Sequence, residues 1–245
     1  MRVFVGGSLR ENIVHDLAQA HDFAAQLGTE IVQRGHVILN GCKSSFDAEI
    51  AKGAAQWLAE HNVDPKSRII SYWHRTAPQA HRHGTVRVSA LPDWQMSHPE
   101  LRVPEQIDEA DVAIFVGGHD GTFLARNWAV WAGKPIIGVP RFGGAGETIY
   151  NQELKRRRET ADADVEGYEI LNQMANGVSE YANDVTSLVE RTGFSRRVFA
   201  IMSFADDFRN VFLTYAAVCK EFNLEAHRTD ESESLDRIVP RIESG

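Results

Sequence analysis

Apolar positions along this chain switch between a period of two and a period near 3.6, and the switches set out its elements. Val3-Phe4-Val5 is a short β-type run ending at Gly6-Gly7-Ser8, which predicts a strand closed by a glycine turn. Ile13, Leu17, Ala20, Phe23, Ala24, Leu27 and Ile31 then recur at spacings of three and four, the mark of a helix, and Gly35 ends it. The order repeats: His36-Val37-Ile38-Leu39 as a strand, Asn40-Gly41-Cys42 as a turn, and a helix from Phe46 to His61 carrying Ile50, Ala54, Trp57 and Leu58. Arg68 to Tyr72 predicts a third strand. The stretch from His74 to Pro99 is irregular, either a functional loop or an excursion over the sheet. Pro104 to Ala110 then reads as a short helix, Val112 to Val116 as an unbroken apolar strand, Gly117 to Thr122 as a glycine turn, Phe123 to Ala132 as a helix and Pro135 to Val139 as a strand. Continuous apolar strands alternating with helices predict an α/β fold, a Rossmann-like doubly wound parallel sheet covered on both faces.

From Glu147 to Arg191 the pattern is helical and polar, and Lys155-Arg156-Arg157-Arg158 reads as a solvated helix face. A new unit starts at Arg196. Val198 to Met202 predicts a strand, Phe208 to Glu221 a helix with Val211, Phe212, Tyr215 and Val218 inside, Leu224 to Arg228 a strand and Leu235 to Ile242 a helix. This partial, flavodoxin-like β-α-β-α unit has too few strands to bury a core alone. The organisation expected is therefore a Rossmann-like α/β domain over 1–160, a helical linker over 161–195 and a partial second domain over 196–245.

Composition narrows the function. With 34 acidic against 26 basic side chains the net charge is −8, so a protein built to coat nucleic acid is disfavoured and small-molecule chemistry favoured. A hydrophobic fraction of 43% supports a true core, while no apolar run reaches membrane-spanning length. Cys42 and Cys219 are too few and too far apart for a disulfide framework or a zinc cluster, which points to the cytoplasm.

In open α/β sheets, ligands bind at the carboxyl ends of strands, where glycine turns let a phosphate approach backbone N–H groups. Three such turns stand here: Gly7-Ser8, the one holding Gly41, and Gly117-Gly118-His119-Asp120-Gly121-Thr122. In the third, Gly117, Gly118 and Gly121 remove side chains that would block an anion, and Thr122 offers a hydroxyl to ligand or helix cap. The same turn is also compatible with a mere tight connection. It is neither a Walker A loop nor a GxGxxG fingerprint. His74, His81, His83 and His98 lack a metal-binding spacing, so no metal is expected. Trp57, Trp128 and Trp131 read as core, and Trp73 and Trp94 as loop residues that could stack on a base or cover the core. Cys42 reads as a buried thiol, having no identifiable His partner for nucleophilic work.

Gly7-Ser8, Leu27-Gly28, Gly35, Asn40-Gly41, Ala110-Asp111, the Gly-Gly-x-x-Gly-Thr turn from Gly117 to Thr122, and Ala132-Gly133-Lys134-Pro135-Ile136 together resemble the SLOG superfamily over roughly residues 1–160. The resemblance implies a Rossmann-like nucleotide pocket lined by Gly7, Ser8, Gly41, Arg102, Gly117, Gly118, Asp120, Gly121 and Thr122. Its LOG branch cleaves the N-glycosidic bond of nucleoside monophosphates with an Arg and a Glu. Arg102 matches that Arg, whereas Ala125 stands where the Glu belongs, and the turn carries an extra residue; Glu147 or Asp120 would have to substitute. The segment from Val198 to Phe204, with Glu225 to Asp230, resembles the opening half of the nucleoside 2-deoxyribosyltransferase-like family, relatives of Toll/interleukin-1 receptor domains. That likeness implies half a nucleotide pocket around Ser203, Phe204, Arg228 and Asp230.

Together these resemblances imply a sensor for a ligand derived from NAD or ADP-ribose, coupled to a TIR-like effector as in bacterial nucleotide signalling and antiphage systems. No cofactor is required. The alternative is a phosphoribohydrolase with Arg102 as its catalytic residue. A homodimer or larger assembly is expected through the helices around Phe123 to Trp131 and Glu147 to Leu154, with neither nucleic acid nor membrane as partner.

Overall fold

The computed structural model describes residues 1–75, 78–89, 103–159, 165–173, 177–193, 196–200, 208–221 and 224–228. Its elements are β1 (Arg2–Ser8), α1 (Leu17–Gln33), β2 (Val37–Asn40), α2 (Ser45–Glu60), β3 (Ile69–Trp73), β4 (Thr85–Val88), α3 (Glu105–Asp108), β5 (Val112–Gly117), α4 (Asp120–Trp131), β6 (Ile136–Val139), α5 (Gly144–Glu159), α6 (Val165–Ile170), α7 (Val178–Gly193), β7 (Arg196–Ala200), α8 (Arg209–Glu221) and β8 (Leu224–Arg228). They fall into two units, Met1–Thr192 and Gly193–Gly245.

In the first unit six strands form one all-parallel sheet in the order β4-β3-β2-β1-β5-β6. Because side chains alternate across a strand, Val3, Val5, Ile114 and Val116 enter one apolar cluster with α1, α2 and α7. Phe4, Ala113 and Phe115 enter the opposite one with α3 and α4. Both faces are covered, and the fold is the Rossmann-like α/β architecture that unbroken apolar strands predict. Asp16 starts α1 by accepting the Gln19 N–H at 3.0 Å, and Ser44 with Asp47 forms a capping box at the start of α2.

Several boundaries differ from the sequence reading. Gly6-Gly7-Ser8 is not a turn: β1 continues through it, because β5 offers a ladder pairing Gly6 with Phe115, Gly7 with Val116 and Ser8 with Gly117. The irregular stretch after His74 contains β4, which extends the sheet by pairing Trp73 with Val88. Its mixture of Thr, Val and Arg lacks the apolar run of a central strand, as an edge position permits. The helix after β5 starts at Asp120, so Gly121 and Thr122 lie inside its first turn.

The stretch expected as a linker belongs to the first unit. Tyr168, Leu171, Tyr181, Val185, Leu188 and Val189 are buried in the main cluster, with Tyr181 packed on Phe23 at 5.4 Å between ring centroids. At the other end of α7, Glu190 pairs with Arg34 at 2.6 Å and with His36 at 3.0 Å. The basic run is a solvated face as expected at Lys155, Arg156 and Arg158, with Arg157 alone turned inward. Arg157 is buried with its guanidinium 4.4 Å from the Tyr168 ring, Arg156 pairs with Glu153 at 2.9 Å and Arg158 with Glu169 at 2.5 Å.

In the second unit β7 and β8 pair in parallel, Arg196 with Leu224 through Ala200 with Arg228, joined by α8. Helix α8 buries Phe212 and Cys219, whereas Val211, Tyr215 and Val218, expected inside, are exposed along with Leu213. Two strands cover only a narrow strip of a helix. The helix predicted over Leu235 to Ile242 lies outside the described residues. No described helix is long and apolar enough to cross a membrane.

Candidate anion site at the start of helix α4

The strand order reverses direction between β1 and β5, since successive strands are added outward from β1 through β2 to β4 on one side and from β5 to β6 on the other. A crevice opens at the carboxyl ends of strands at such a point. Ser8, ending β1, and the turn after β5 lie there side by side: the Gly118 N–H donates to the Ser8 carbonyl at 2.9 Å.

Gly117 and Gly118 are buried and adopt φ of +54° and +78°. A Cβ on Gly118 would fall 1.9 Å from Thr122 Oγ1. Both glycines are thus required by the turn itself, and Gly118 also makes room for Thr122. Gly121 is different. It is exposed, and a Cβ there would meet nothing within 4 Å.

Helix α4 begins without a side-chain cap. Thr122 N–H and Phe123 N–H both donate to the His119 carbonyl, at 2.8 and 3.1 Å. The N–H groups of His119, Asp120 and Gly121 have no acceptor among the described residues. Thr122, expected as a cap, is instead 6% exposed inside the first turn, its hydroxyl without a hydrogen-bond partner among the described residues. His119 Nδ1 stands 2.9 Å from Asp120 Oδ1, with both side chains largely exposed.

A second helix start touches the same turn. Ala145 N–H, in the first turn of α5, donates to the Gly118 carbonyl at 2.9 Å, and Gly144 packs directly against that oxygen. Gly143-Gly144 follows β6 as a glycine pair after a strand, a signal readable in the sequence. Glu147 is exposed in this first turn, as Asp120 is in that of α4.

The turn holding Gly41 is filled from within. Asp47 sends its carboxylate back to accept the N–H groups of Lys43 and Ser44, each at 2.8 Å, and that of Gly41. Burial pushes the Asp47 carboxyl up, against the N–H groups that hold it down. Gly41 thus serves an internal anion, and its expected part in ligand binding does not fit this geometry.

The same strand end is covered by the segment before β4. Ala80 N–H donates to the Cys42 carbonyl at 3.0 Å and Cys42 Sγ to the His81 carbonyl at 3.3 Å. Burial pushes the Cys42 thiol up, in keeping with an inert thiol. His83 N–H donates to His81 Nδ1 at 3.3 Å, and His81 Nε2 lies 3.4 Å from both Ser71 Oγ and Asn40 Nδ2. Burial, and secondarily the charge of His83, pushes His81 down to about 4 from 6.5. The folded state refuses a proton that the unfolded chain accepts, so His81's contribution to stability is full above pH 6.5 and is lost as pH falls to about 4. The expected loss is on the order of 2 kcal/mol. Urea melts at both ends of this window should show a steeper pH dependence for the native chain than for His81→Gln; parallel profiles would refute it.

Ala125 is buried in the cluster holding Phe115 and Trp128, so the position of the hydrolase carboxylate faces the core here. Arg102 lies outside the described residues, as do Ser203, Phe204, Asp230, Trp94 and His98. Of Arg228 only the backbone is described, at the end of β8. Trp128 is core as predicted, but Trp131 is exposed and Trp57 only partly buried. No group of His, Cys, Asp or Glu suited to a metal exists among the described residues.

The fold is that of a Rossmann-like α/β protein with an uncapped helix start at its switch point. No protein-family model matches the chain, and no curated protein does. Among solved structures it is similar to TM1055, a structural-genomics target, with 22% identity over 61% of this chain and 80% of that one, at a TM-score of 0.44. It is also similar to the molybdenum cofactor carrier protein of Chlamydomonas reinhardtii, with 20% identity over 55% of this chain and 74% of that one, at a TM-score of 0.39.

Proposed function

We propose that the first unit binds a nucleotide by its phosphate at the start of α4. The observation that carries this is the contrast between two helix starts on one sheet edge. At α2 the chain supplies its own carboxylate, whereas at α4 three N–H groups and a hydroxyl are left for something else. The ligand we infer is derived from NAD or ADP-ribose, and its occupancy is reported to the second unit, read as a TIR-like effector in bacterial nucleotide signalling or antiphage defence. No further cofactor enters this reading.

Ala125 in an apolar cluster argues for binding without turnover. The alternative, a phosphoribohydrolase, rests on Arg102 with exposed Asp120 or Glu147 as its carboxylate. Calorimetry with AMP, ADP-ribose and NAD, followed by chromatography for released base, tests both readings. Saturable binding without base supports the module. Base release that stops in Arg102→Ala supports the hydrolase, and no binding of any of the three overturns the proposal. Self-association is part of this reading, carried by exposed Val130 and Trp131 on α4, and light scattering at one chain mass throughout would refute it.

A further inference from the structure

We propose that the segment Pro140 to Gly144, which joins β6 to α5, couples occupancy of the α4 start to the docking of α7, the helix through which the chain leaves the first unit. This rests on the nucleotide reading above and adds how binding is passed on. The segment is gripped on two sides. Toward the site, the Gly118 carbonyl accepts the Ala145 N–H at 2.9 Å, and a Cβ on Gly144 would fall 2.7 Å from the same oxygen. His15 N–H donates to the Phe142 carbonyl at 3.3 Å, and a Cβ on Gly143 would fall 2.7 Å from His15 Nε2. Toward α7, the contacts converge on Tyr181. Arg141 N–H donates to its hydroxyl, which in turn donates to the Leu171 carbonyl at 2.9 Å. The Arg141 guanidinium lies 5.0 Å from the Tyr181 ring centroid, and the Phe142 ring meets it edge-on at 6.3 Å.

Helix α7 supplies an element with two states. Nine residues after Tyr181, about 14 Å along the helix axis, Glu190 pairs with Arg34 at 2.6 Å and with His36 at 3.0 Å. Arg34 also donates to Asn183 Oδ1 at 2.6 Å and to Ser187 Oγ at 3.0 Å. The second unit starts three residues beyond Glu190, at Gly193. Glu190 is one-third exposed, and ion pairs in partial contact with water hold weakly, so the last turns of α7 open at lower cost than its buried first half. Docked, α7 fixes Tyr181, Tyr181 fixes Arg141 and Phe142, and the segment backs the Gly118 carbonyl. The N–H groups of His119, Asp120 and Gly121 are then held in one arrangement. An anion that needs this arrangement binds the docked state more tightly and so favours it. The coupling is reciprocal, and whatever loosens α7 weakens binding by the same factor.

Calorimetry with AMP, ADP-ribose and NAD on the full chain, paired with amide hydrogen exchange over residues 178–193, tests this. The tightest binder of the three should slow exchange over these residues in the native protein. Glu190→Gln should weaken that compound about fivefold, the lower end of usual coupling. Glu190 meets His36 just ahead of β2, whereas α4 starts at the carboxyl ends of the same parallel strands, so the variant alters no group at the anion's seat. Asn183→Ala, which takes one acceptor from Arg34 and spares the ion pair, should act in the same direction. Tyr181→Phe keeps the ring and removes the hydroxyl, so in that background Glu190→Gln should leave affinity unchanged; additive effects would overturn the route through Tyr181. Native binding with unaltered exchange over 178–193, or unaltered affinity in both Glu190→Gln and Asn183→Ala, overturns the coupling while leaving nucleotide binding intact. Failure of all three compounds to bind the native protein overturns the nucleotide reading and this proposal with it.

Discussion

Gly28→Ala should destabilise the first unit by about 3 kcal/mol, although alanine is the better helix former by roughly 1 kcal/mol. Helices α1 and α2 cross with their backbones in contact: a Cβ on Gly28 would fall 2.1 Å from the Ile50 carbonyl oxygen, and one on Gly53 would fall 2.0 Å from that of Ala25. Thr29 Oγ1 spans the same crossing to the Gly53 carbonyl at 3.2 Å. Neither obstacle is a flexible side-chain tip, so a methyl group must push the helices apart. That parts α1 and α2 over Phe23, Leu27, Ile31, Ile50 and Ala54, all fully buried. Urea denaturation decides the matter. A Gly28→Ala chain as stable as the native one would mean that the two backbones do not meet.

Gly121→Leu should have the opposite profile, an intact fold with nucleotide binding reduced at least about a hundredfold. Nothing lies within 4 Å of a Cβ at this position, so the fold tolerates a side chain there. In a helix the Cα–Cβ bond tilts toward the N-terminus, which aims the new side chain at the N–H groups of His119, Asp120 and Gly121. Bulk at that point excludes an anion. Gly118→Ala makes the informative comparison, because at φ +78° and 1.9 Å from Thr122 Oγ1 it should lose stability and binding together. Calorimetry with AMP and ADP-ribose, paired with thermal melts, separates the two variants. Unaltered affinity in Gly121→Leu would remove the phosphate from the start of α4.

Much of the fold was legible because it depends on local periodicity. Val112 to Val116 is an unbroken apolar run of strand length between turn signals, and the spacing of Phe23, Leu27 and Ile31 is that of one face of a helix. The α5 to α7 region reads as polar in sequence because its apolar residues, among them Tyr168, Tyr181, Val185 and Leu188, stand in a charged background. What makes them core is the exposed flank of α1 and Phe142 that they cover, a long-range fact. The glycines show a similar limit. Gly118 and Gly121 stand three residues apart in one motif, yet one fills a turn and the other faces open space, and only the position of Thr122 tells them apart. The loss of Gly41 to Asp47 was foreseeable, since Ser44 and Asp47 at a spacing of three form a capping-box pattern whose carboxylate points back at the turn.

The packing of α7 bears on how the gene should be cut for expression. A fragment stopped at residue 160 would strip Tyr181 from Phe23 and Phe142, and Glu190 from Arg34 and His36. Such a product would present an oily groove beside α1 and collect in the insoluble fraction. A fragment carried through Gly193 takes with it the helix that seals that groove. Ligand titrations on the isolated first unit therefore belong on the longer piece, where a failure to bind reports on the α4 turn instead of on a molecule that never closed its own side.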